Sequence, residues 1–396
     1  MQKQFCTLQQ FMIEFFNKHK VRIIAGVALL LGILTIWSFT KNNNKQPNAT
    51  AQKNASETTE ITLVFGGDMM GHGPLINAAY DKVEEKHNYL PWFKYISPYI
   101  KSADYSIANL EVTLAGPPYT GYPQFSSPDD YASNIIEAGF TALVTANNHS
   151  QDRGADGLIR TLEVLDKLKI PHTGTFKDTQ SFESSYPLMV TLKGIKVAFL
   201  NATYGTNGLI VKHPTMVNLL DTIWMKKAIL KARKLGAEIV IPIVHWGVEY
   251  QSHENKEQQN MAKFLADQGV DAIVGMHPHV VQPIYEIKLK SGKKVPVAFS
   301  LGNFVSNQRD RYQNGGILFR LKFEKKKDKI SVQSHDYLPF WVHRVREGEQ
   351  DSTFKRGYFM LTEKQLSLLN GEDLQTAGQY FFDTKNLLKD EHLWVN

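Results

Sequence analysis

Five short polar clusters hold most of the residues in this chain that could ligate a metal or move a proton. They read Gly67-Asp68-Met69-Met70-Gly71-His72, Asn109-Leu110-Glu111, Ala146-Asn147-Asn148-His149-Ser150-Gln151-Asp152, His245-Trp246-Gly247-Val248-Glu249-Tyr250 and Gly275-Met276-His277-Pro278-His279. Each follows an apolar, β-branched run, the pattern of a buried strand emptying into a loop. Carboxylate, amide and imidazole groups without thiolate suit a pair of divalent transition-metal ions of the Mn, Fe or Zn type. The chemistry such a centre performs best is hydrolysis of a phosphate ester or anhydride.

Each residue also has a plainer use. Asp68 could cap a helix and Glu111 could be a surface charge. Asn148 could ligate an ion, His149 could donate a proton to a leaving oxygen, and Asp152 could orient that imidazole. The same Asn-Asn-His-Ser stretch equally suits a hydrogen-bonded turn. His245, His277 and His279 each end or follow an apolar run, the last two spaced to point the same way from an extended backbone. A lone strand-end histidine is more often structural. Three of them together with Asp68, Glu111 and Asn148 at successive strand ends are not explained that way. His87, His172, His213, His253 and His343 lack this context and read as surface or packing residues.

The elements that must position these clusters alternate in type. Ile61–Phe65, Tyr105–Leu110, Ala142–Thr145, Ile195–Asn201, Ile239–Val244 and Ala272–Val274 read as strands. Stretches around Leu75–Glu85, Leu158–Leu168, Met225–Leu235 and Gln258–Gln268 have helical spacing. Val295–Leu301, Gly316–Phe323 and Ile330–His335 are strand-like and closely spaced, with Lys325-Lys326-Lys327 as a hairpin tip. The pattern predicts an α/β domain with a partly parallel sheet, finished by antiparallel strands. Beyond Asp336, Tyr337-Leu338-Pro339-Phe340-Trp341 should pack on the core, and Gln365–Leu369 and Asn386–Lys389 suggest short helices.

The 396 residues carry a net charge of +6, with 42% apolar and 21% charged residues, which excludes wholesale disorder and does not single out nucleic acid. One cysteine, Cys6, excludes both an intrachain disulfide framework and a cysteine-based zinc site. Ile23–Thr40 carries no charge, and at about 1.5 Å per residue it spans roughly 27 Å, enough for a short membrane helix. Lys3, Lys18, Lys20 and Arg22 precede it, which places the N-terminal segment 1–22 in the cytoplasm. A cleaved signal peptide ending at Ala49-Thr50-Ala51 competes, but that site lies about ten residues beyond the apolar run, too far for the usual arrangement. Residues 41–60 are Asn-, Lys- and Thr-rich, a flexible linker to a domain at 61–337, with 338–396 as an extension packing on it.

At its polar clusters the chain resembles the CapA family, the membrane-anchored capsule and poly-γ-glutamate biosynthesis proteins of bacteria, within the calcineurin-like metallophosphoesterase superfamily. The resemblance runs from about Ile61 to Tyr337 and includes, in order, Gly67-Asp68-Met69-Met70, Asn109-Leu110-Glu111, Ala146-Asn147-Asn148-His149, His245-Trp246-Gly247-Val248-Glu249-Tyr250, His277-Pro278-His279-Val280 and Ser300-Leu301-Gly302-Asn303-Phe304. It implies a four-layer α/β/β/α sandwich (metallophosphoesterase-like) with an N-terminal transmembrane helix and the site at one edge of the sheets. It also implies that Asp68 and His279 bind a first metal, Glu111 bridges, Asn148, His245 and His277 bind a second, and His149 is the general acid. Three positions depart from the superfamily. Met70 stands where its Asp-x-His motif has histidine, with His72 as a candidate replacement. Glu111 stands for aspartate, and Ser150 follows His149 in place of an acid.

Two functions follow as expectations. One is an extracytoplasmic, membrane-anchored hydrolase of capsule or poly-γ-glutamate biosynthesis or export, acting on a phosphorylated or anionic polymeric envelope substrate. The other is a non-catalytic accessory subunit partnering the capsule polymer synthesis and export machinery at the membrane. A binding domain for peptidoglycan or lipid head groups is a third, blander possibility. Nucleic acid is not an expected partner.

Overall fold

The computed structural model describes residues 58–346, 348–389 and 392–394. The expected anchor at 23–40, the segment before it and nearly all of the linker lie outside these residues. Among the described residues, no helix is long and apolar enough to cross a membrane.

Two sheets carry the architecture. The larger has eight strands, ordered Gly357–Thr362, Lys329–Val345, Gly315–Lys326, Thr58–Met69, Tyr105–Leu110, Ala142–Val144 and His172–Thr173, with Asn303–Val305 pairing onto Thr58–Met69. Thr58–Met69 runs parallel to Tyr105–Leu110 and antiparallel to Gly315–Lys326. The smaller has six strands, ordered Ile284–Lys288, Lys294–Ala298, Ile273–Met276, Ile239–His245, Ile195–Thr203 and Leu188–Leu192. Its four central strands are parallel and its two edge strands antiparallel. The expected mixed α/β class is observed.

Alternation along the strands explains the layering. Ile61, Leu63 and Phe65 face one cluster together with Phe199, Ile241, Val274 and Phe319, which fills the space between the sheets. Val64 points the other way, into a cluster with Ala108, Leu143, Leu75, Ile135, Leu165 and Phe340. On the far face of the smaller sheet, Ala198, Val240 and Ile273 pack on Met225, Ile229 and Leu265 from the helices Thr222–Lys234 and Lys256–Asp267. Helices thus cover both outer faces, which is why the central parallel strands are apolar on both sides.

Several expected elements move. The helix expected over Leu75–Glu85 stops at Ala79 and gives way to the strand pair Tyr80–Asp81 and Lys86–His87. The Lys325-Lys326-Lys327 segment does form a hairpin tip, with Lys327 at φ +55°. The largest difference is in the tail. Lys329–Val345 runs unbroken through Tyr337, and Gly357–Thr362 extends the same sheet. Pro339 obscures this strand in the sequence. It is tolerated because pairing to Gly357–Thr362 begins only at Phe340, so the missing N–H costs no ladder bond on that side. The short helices expected near the end become a 3-10 turn at Glu363–Leu368 and one helix, Gly371–Leu388.

The parallel strands of both sheets end at a common edge, the usual ligand side of such sheets. Asp68 lies beside Asn109 in register, and His245 beside Met276, so the clusters that follow are neighbours in space. Gly67 is required here. A Cβ at this position would run into the carbonyl of Gly302, and the close approach lets Asp68 N–H donate to Gly302 O at 3.1 Å.

Candidate metal centre

The expected ligands converge, and Glu111 is common to two groups. Glu111, His245 and His277 can each offer a donor atom within 4.8 Å of the others, and so can Asp68, Glu111 and His279. All five are buried. Around His245 Nε2 the donors crowd closely. Asn148 Oδ1 stands at 2.8 Å, His277 Nδ1 at 3.1 Å and Glu111 Oε1 at 3.5 Å. Four ligands held about 2.0–2.1 Å from one tetrahedral ion lie about 3.3 Å apart, so the spacing fits a single cation. On the other side, His279 Nδ1 is 3.4 Å from Asp68 Oδ2 and its Nε2 is 3.9 Å from Glu111 Oε1.

Electrostatics agree with a cation. Glu111 Oε1 has no hydrogen-bond partner, although the residue is fully buried. Burial, reinforced by the adjacent Asp68 charge, raises the Glu111 carboxyl well above its ordinary value. Burial opposes ionisation of Asp68 too, but hydrogen bonds from His279 and Asn109 outweigh it and hold that carboxyl low. Burial and the neighbouring His277 and His279 push His245 far down, and burial with His279 lowers His277 to about 3. Neutral imidazoles beside an unpartnered buried carboxylate oxygen are what a divalent ion requires.

The backbone is distorted at the ligands themselves. His277 has φ +101° and His279 φ +59°, a region that costs a non-glycine residue on the order of 1–3 kcal/mol. The two histidines therefore do not leave an extended backbone in one direction, as their spacing suggests. They turn into different donor groups, and Asp68 Oδ2 fixes the turn by accepting from His277 N at 3.2 Å.

His149 and Asp152 pair as expected. His149 Nδ1 lies 2.8 Å from Asp152 Oδ2, which also accepts from Phe125 N at 2.8 Å. The carboxylate is thereby fixed, and the Phe125 ring packs on the imidazole edge with centroids 4.7 Å apart.

His72 falls in neither donor group. Its Nδ1 accepts from Asn307 N at 3.4 Å and its ring stands 5.3 Å from Phe125. Burial, with His279 and His149 nearby, lowers it to about 4. Met70 is buried in the core cluster that contains Val112, Leu75 and Tyr131, its carbonyl accepting from Tyr131 Oη at 2.8 Å.

Two asparagines matter beyond their role as motif members. Asn109 Nδ2 reaches Asp68 Oδ1 at 2.8 Å, Glu111 Oε2 at 3.3 Å and His245 Nδ1 at 3.3 Å, so one amide sets the relative positions of three ligands. Asn303 Oδ1 stands 3.1 Å from His279 Nδ1 and orients that ring. Tyr204 and Tyr250, both about half exposed, line the mouth, with ring centroids 4.7 Å from His277 and 6.0 Å from His279.

Residues 62–308 match the model of a family described as bacterial capsule synthesis protein PGA_cap. Among curated proteins the chain is similar to the capsule biosynthesis protein CapA of Bacillus anthracis, 27% identical over 316 residues, 76% of this chain and 73% of that one. It is also similar to the PGA biosynthesis protein CapA of Bacillus subtilis (strain 168), 28% identical over 313 residues, 74% of this chain and 79% of the relative. Among solved structures, the calcineurin-like phosphoesterase YfkN from Bacillus subtilis aligns with a TM-score of 0.43 at 16% identity, over 83% of this chain and 98% of that one.

Proposed function

The chain belongs to the bacterial capsule synthesis protein family, and from that premise we propose that it is a membrane-anchored, extracytoplasmic hydrolase of capsule or poly-γ-glutamate biosynthesis. Its site would hold two divalent transition-metal ions and cleave a phosphoester-type bond in an anionic or phosphorylated envelope substrate. The observation that carries this reading is Glu111, which belongs to both donor groups and whose Oε1 has no hydrogen-bond partner. An uncharged Ile23–Thr40 segment behind basic residues supports the anchor.

When bound, the ion pair would supply Lewis acidity toward a phosphoryl oxygen and lower the pKa of an attacking water. Asp68 and His279 would hold the first ion, Asn148, His245 and His277 the second, and Glu111 both. Asn109 keeps three of these side chains in register. His149 is the proton donor. With Nδ1–H donating to Asp152, the protonated ring presents Nε2–H to the leaving oxygen, and the adjacent carboxylate stabilises that imidazolium. The ligands are buried, and Tyr204 and Tyr250, about half exposed beside His277 and His279, mark the side from which a substrate would approach.

A second reading, a non-catalytic subunit of a capsule polymer synthesis or export complex, is favoured by one observation. Met70 and the displaced His72 leave the first group with only Asp68, Glu111 and His279. Elemental analysis of the purified chain separates the two. About two transition-metal ions per chain, lost in Asp68→Ala and His277→Ala together with phosphodiester turnover, is the expected result. Metal-free folded protein, or a double variant that turns over at the wild-type rate, would remove the hydrolase reading.

A further inference from the structure

A cavity of about 780 Å³ lies outside the metal centre, between the helix Gly73–Ala79 and the strands Lys329–Val345 and Gly357–Thr362. Its wall is basic for a reason visible in the strand register. Arg344 pairs with Tyr358, and residues two apart on a strand share a face, so Arg344, Arg346, Arg356 and Tyr358 fall on one side. No acidic side chain lines the cavity among the described residues. Arg346 is already paired with Glu349 at 3.0 Å and Asp373 at 3.2 Å. Arg344 and Arg356 are exposed and form no ion pair or side-chain hydrogen bond among the described residues. Arg309 stands behind them, donating to Val342 O at 3.1 Å and close enough for its charge to oppose that of Arg344.

Arg344 and Arg356, exposed and without counter-charges among the described residues, are favourably placed beside an anion. The cavity is also joined to the metal centre by a short chain of contacts. Tyr358 Oη donates to Asn307 Oδ1 at 2.7 Å, Asn307 N donates to His72 Nδ1, and His72 packs on the Phe125 ring that packs on His149. The cavity wall is therefore linked through packed side chains to His149.

We propose that this cavity is an oxyanion-binding subsite, which takes carboxylate or phosphate groups borne along an extended substrate and so directs the reacting bond toward the metal centre. This deepens the hydrolase reading and rests on it for the second half of that statement only. Guanidinium groups bind both oxyanions through paired N–H donors, so carboxylate and phosphate share the chemistry.

The test uses the full chain in detergent, with binding of a fluorescent linear glutamate oligomer measured at low salt and competed by the unlabelled oligomer or by inorganic tripolyphosphate. Arg344→Gln with Arg356→Gln should weaken binding about tenfold or more, as loss of charge-assisted hydrogen bonds does. Metal content should be unchanged. A control with the same charge loss, Lys226→Gln with Lys227→Gln on the outer helix Thr222–Lys234, should bind as wild type. Competition by the glutamate oligomer alone identifies a carboxylate ligand, and stronger competition by tripolyphosphate a phosphate ligand. Either supports the subsite. Absence of binding by the wild type, equal binding by the arginine variant, or equal weakening by the control would overturn it. Metal content read in parallel keeps the two readings apart, because anion binding by metal-free protein would remove the hydrolase and leave the subsite.

Discussion

Glu111→Gln tests the shared ligand most directly, because the isosteric amide changes charge and donor strength without opening a cavity. With metal at 100 times its dissociation constant, each bound ion stabilises the native state by about 2.7 kcal/mol. Two ions give roughly 5 kcal/mol, and at about 2 °C per kcal/mol for a chain of this size the wild-type Tm should rise by about 10 °C on metal addition. Loss of even an outer partner of a metal ligand can weaken affinity about 100-fold, and a direct ligand shared by both ions should do at least that at each. At the same metal concentration the variant then gains only about 0.4 kcal/mol per ion, a Tm rise of roughly 2 °C. The metal-free variant should behave oppositely. Burial and Asp68 raise the folded-state pKa of Glu111, so its contribution is favourable at low pH and lost as pH rises through that value. An amide has no such loss, and metal-free Glu111→Gln should be at least as stable as metal-free wild type at neutral and alkaline pH. Thermal scans with and without metal, beside elemental analysis, read both effects. A variant that keeps one ion at wild-type affinity would refute the bridging role, and one that keeps the full thermal shift would refute the centre.

Three other outcomes follow from the same geometry. His149→Gln should lower phosphodiester turnover by roughly 10²–10⁴-fold with metal content unchanged, and Asp152→Asn should shift the pH profile of turnover; a metal loss in His149→Gln would make that residue a ligand instead. His277 titrates at about 3 in the fold against about 6.5 when unfolded, so acidification protonates the unfolded chain first. Metal-free protein should therefore lose up to about 1.4 kcal/mol per pH unit from this group between those values, measured by urea melts, and His277→Gln should flatten that slope. Gly67→Ala should drive its Cβ into the Gly302 carbonyl, lowering Tm and metal content together, whereas an unchanged Tm would show that the Asn303–Val305 segment can retreat at no cost.

The sequence disclosed those parts of the site whose residue types are rare at strand ends. Asp68, Glu111, Asn148, His245, His277 and His279 stand out because carboxylate, amide and imidazole groups recur together at successive strand ends, where any one of them alone would read as structural. Asn109 was hidden inside its own motif, since an asparagine in a buried strand reads as a turn residue or neutral filler, and only the crossing of two sheets shows what it reaches. His72 looked like a substitute ligand by position, but its ring is held by Asn307 and Phe125, which no spacing rule could anticipate. Arg344 and Arg356 are separated in sequence and come together only through strand pairing, with Arg309 brought in by its bond to Val342 O. The long strand through Tyr337 was masked by Pro339, and the helix Gly371–Leu388 by Gly371 and Gly378, which weaken helical propensity.

The contact between Asp68 and His277 joins residues 209 positions apart. Loops of that length close late, so the donor atoms can meet only after both sheets have formed and stacked. Metal ions held there would therefore act after the fold is formed, slowing escape from the finished state, so added metal should leave the refolding rate unchanged and reduce the unfolding rate.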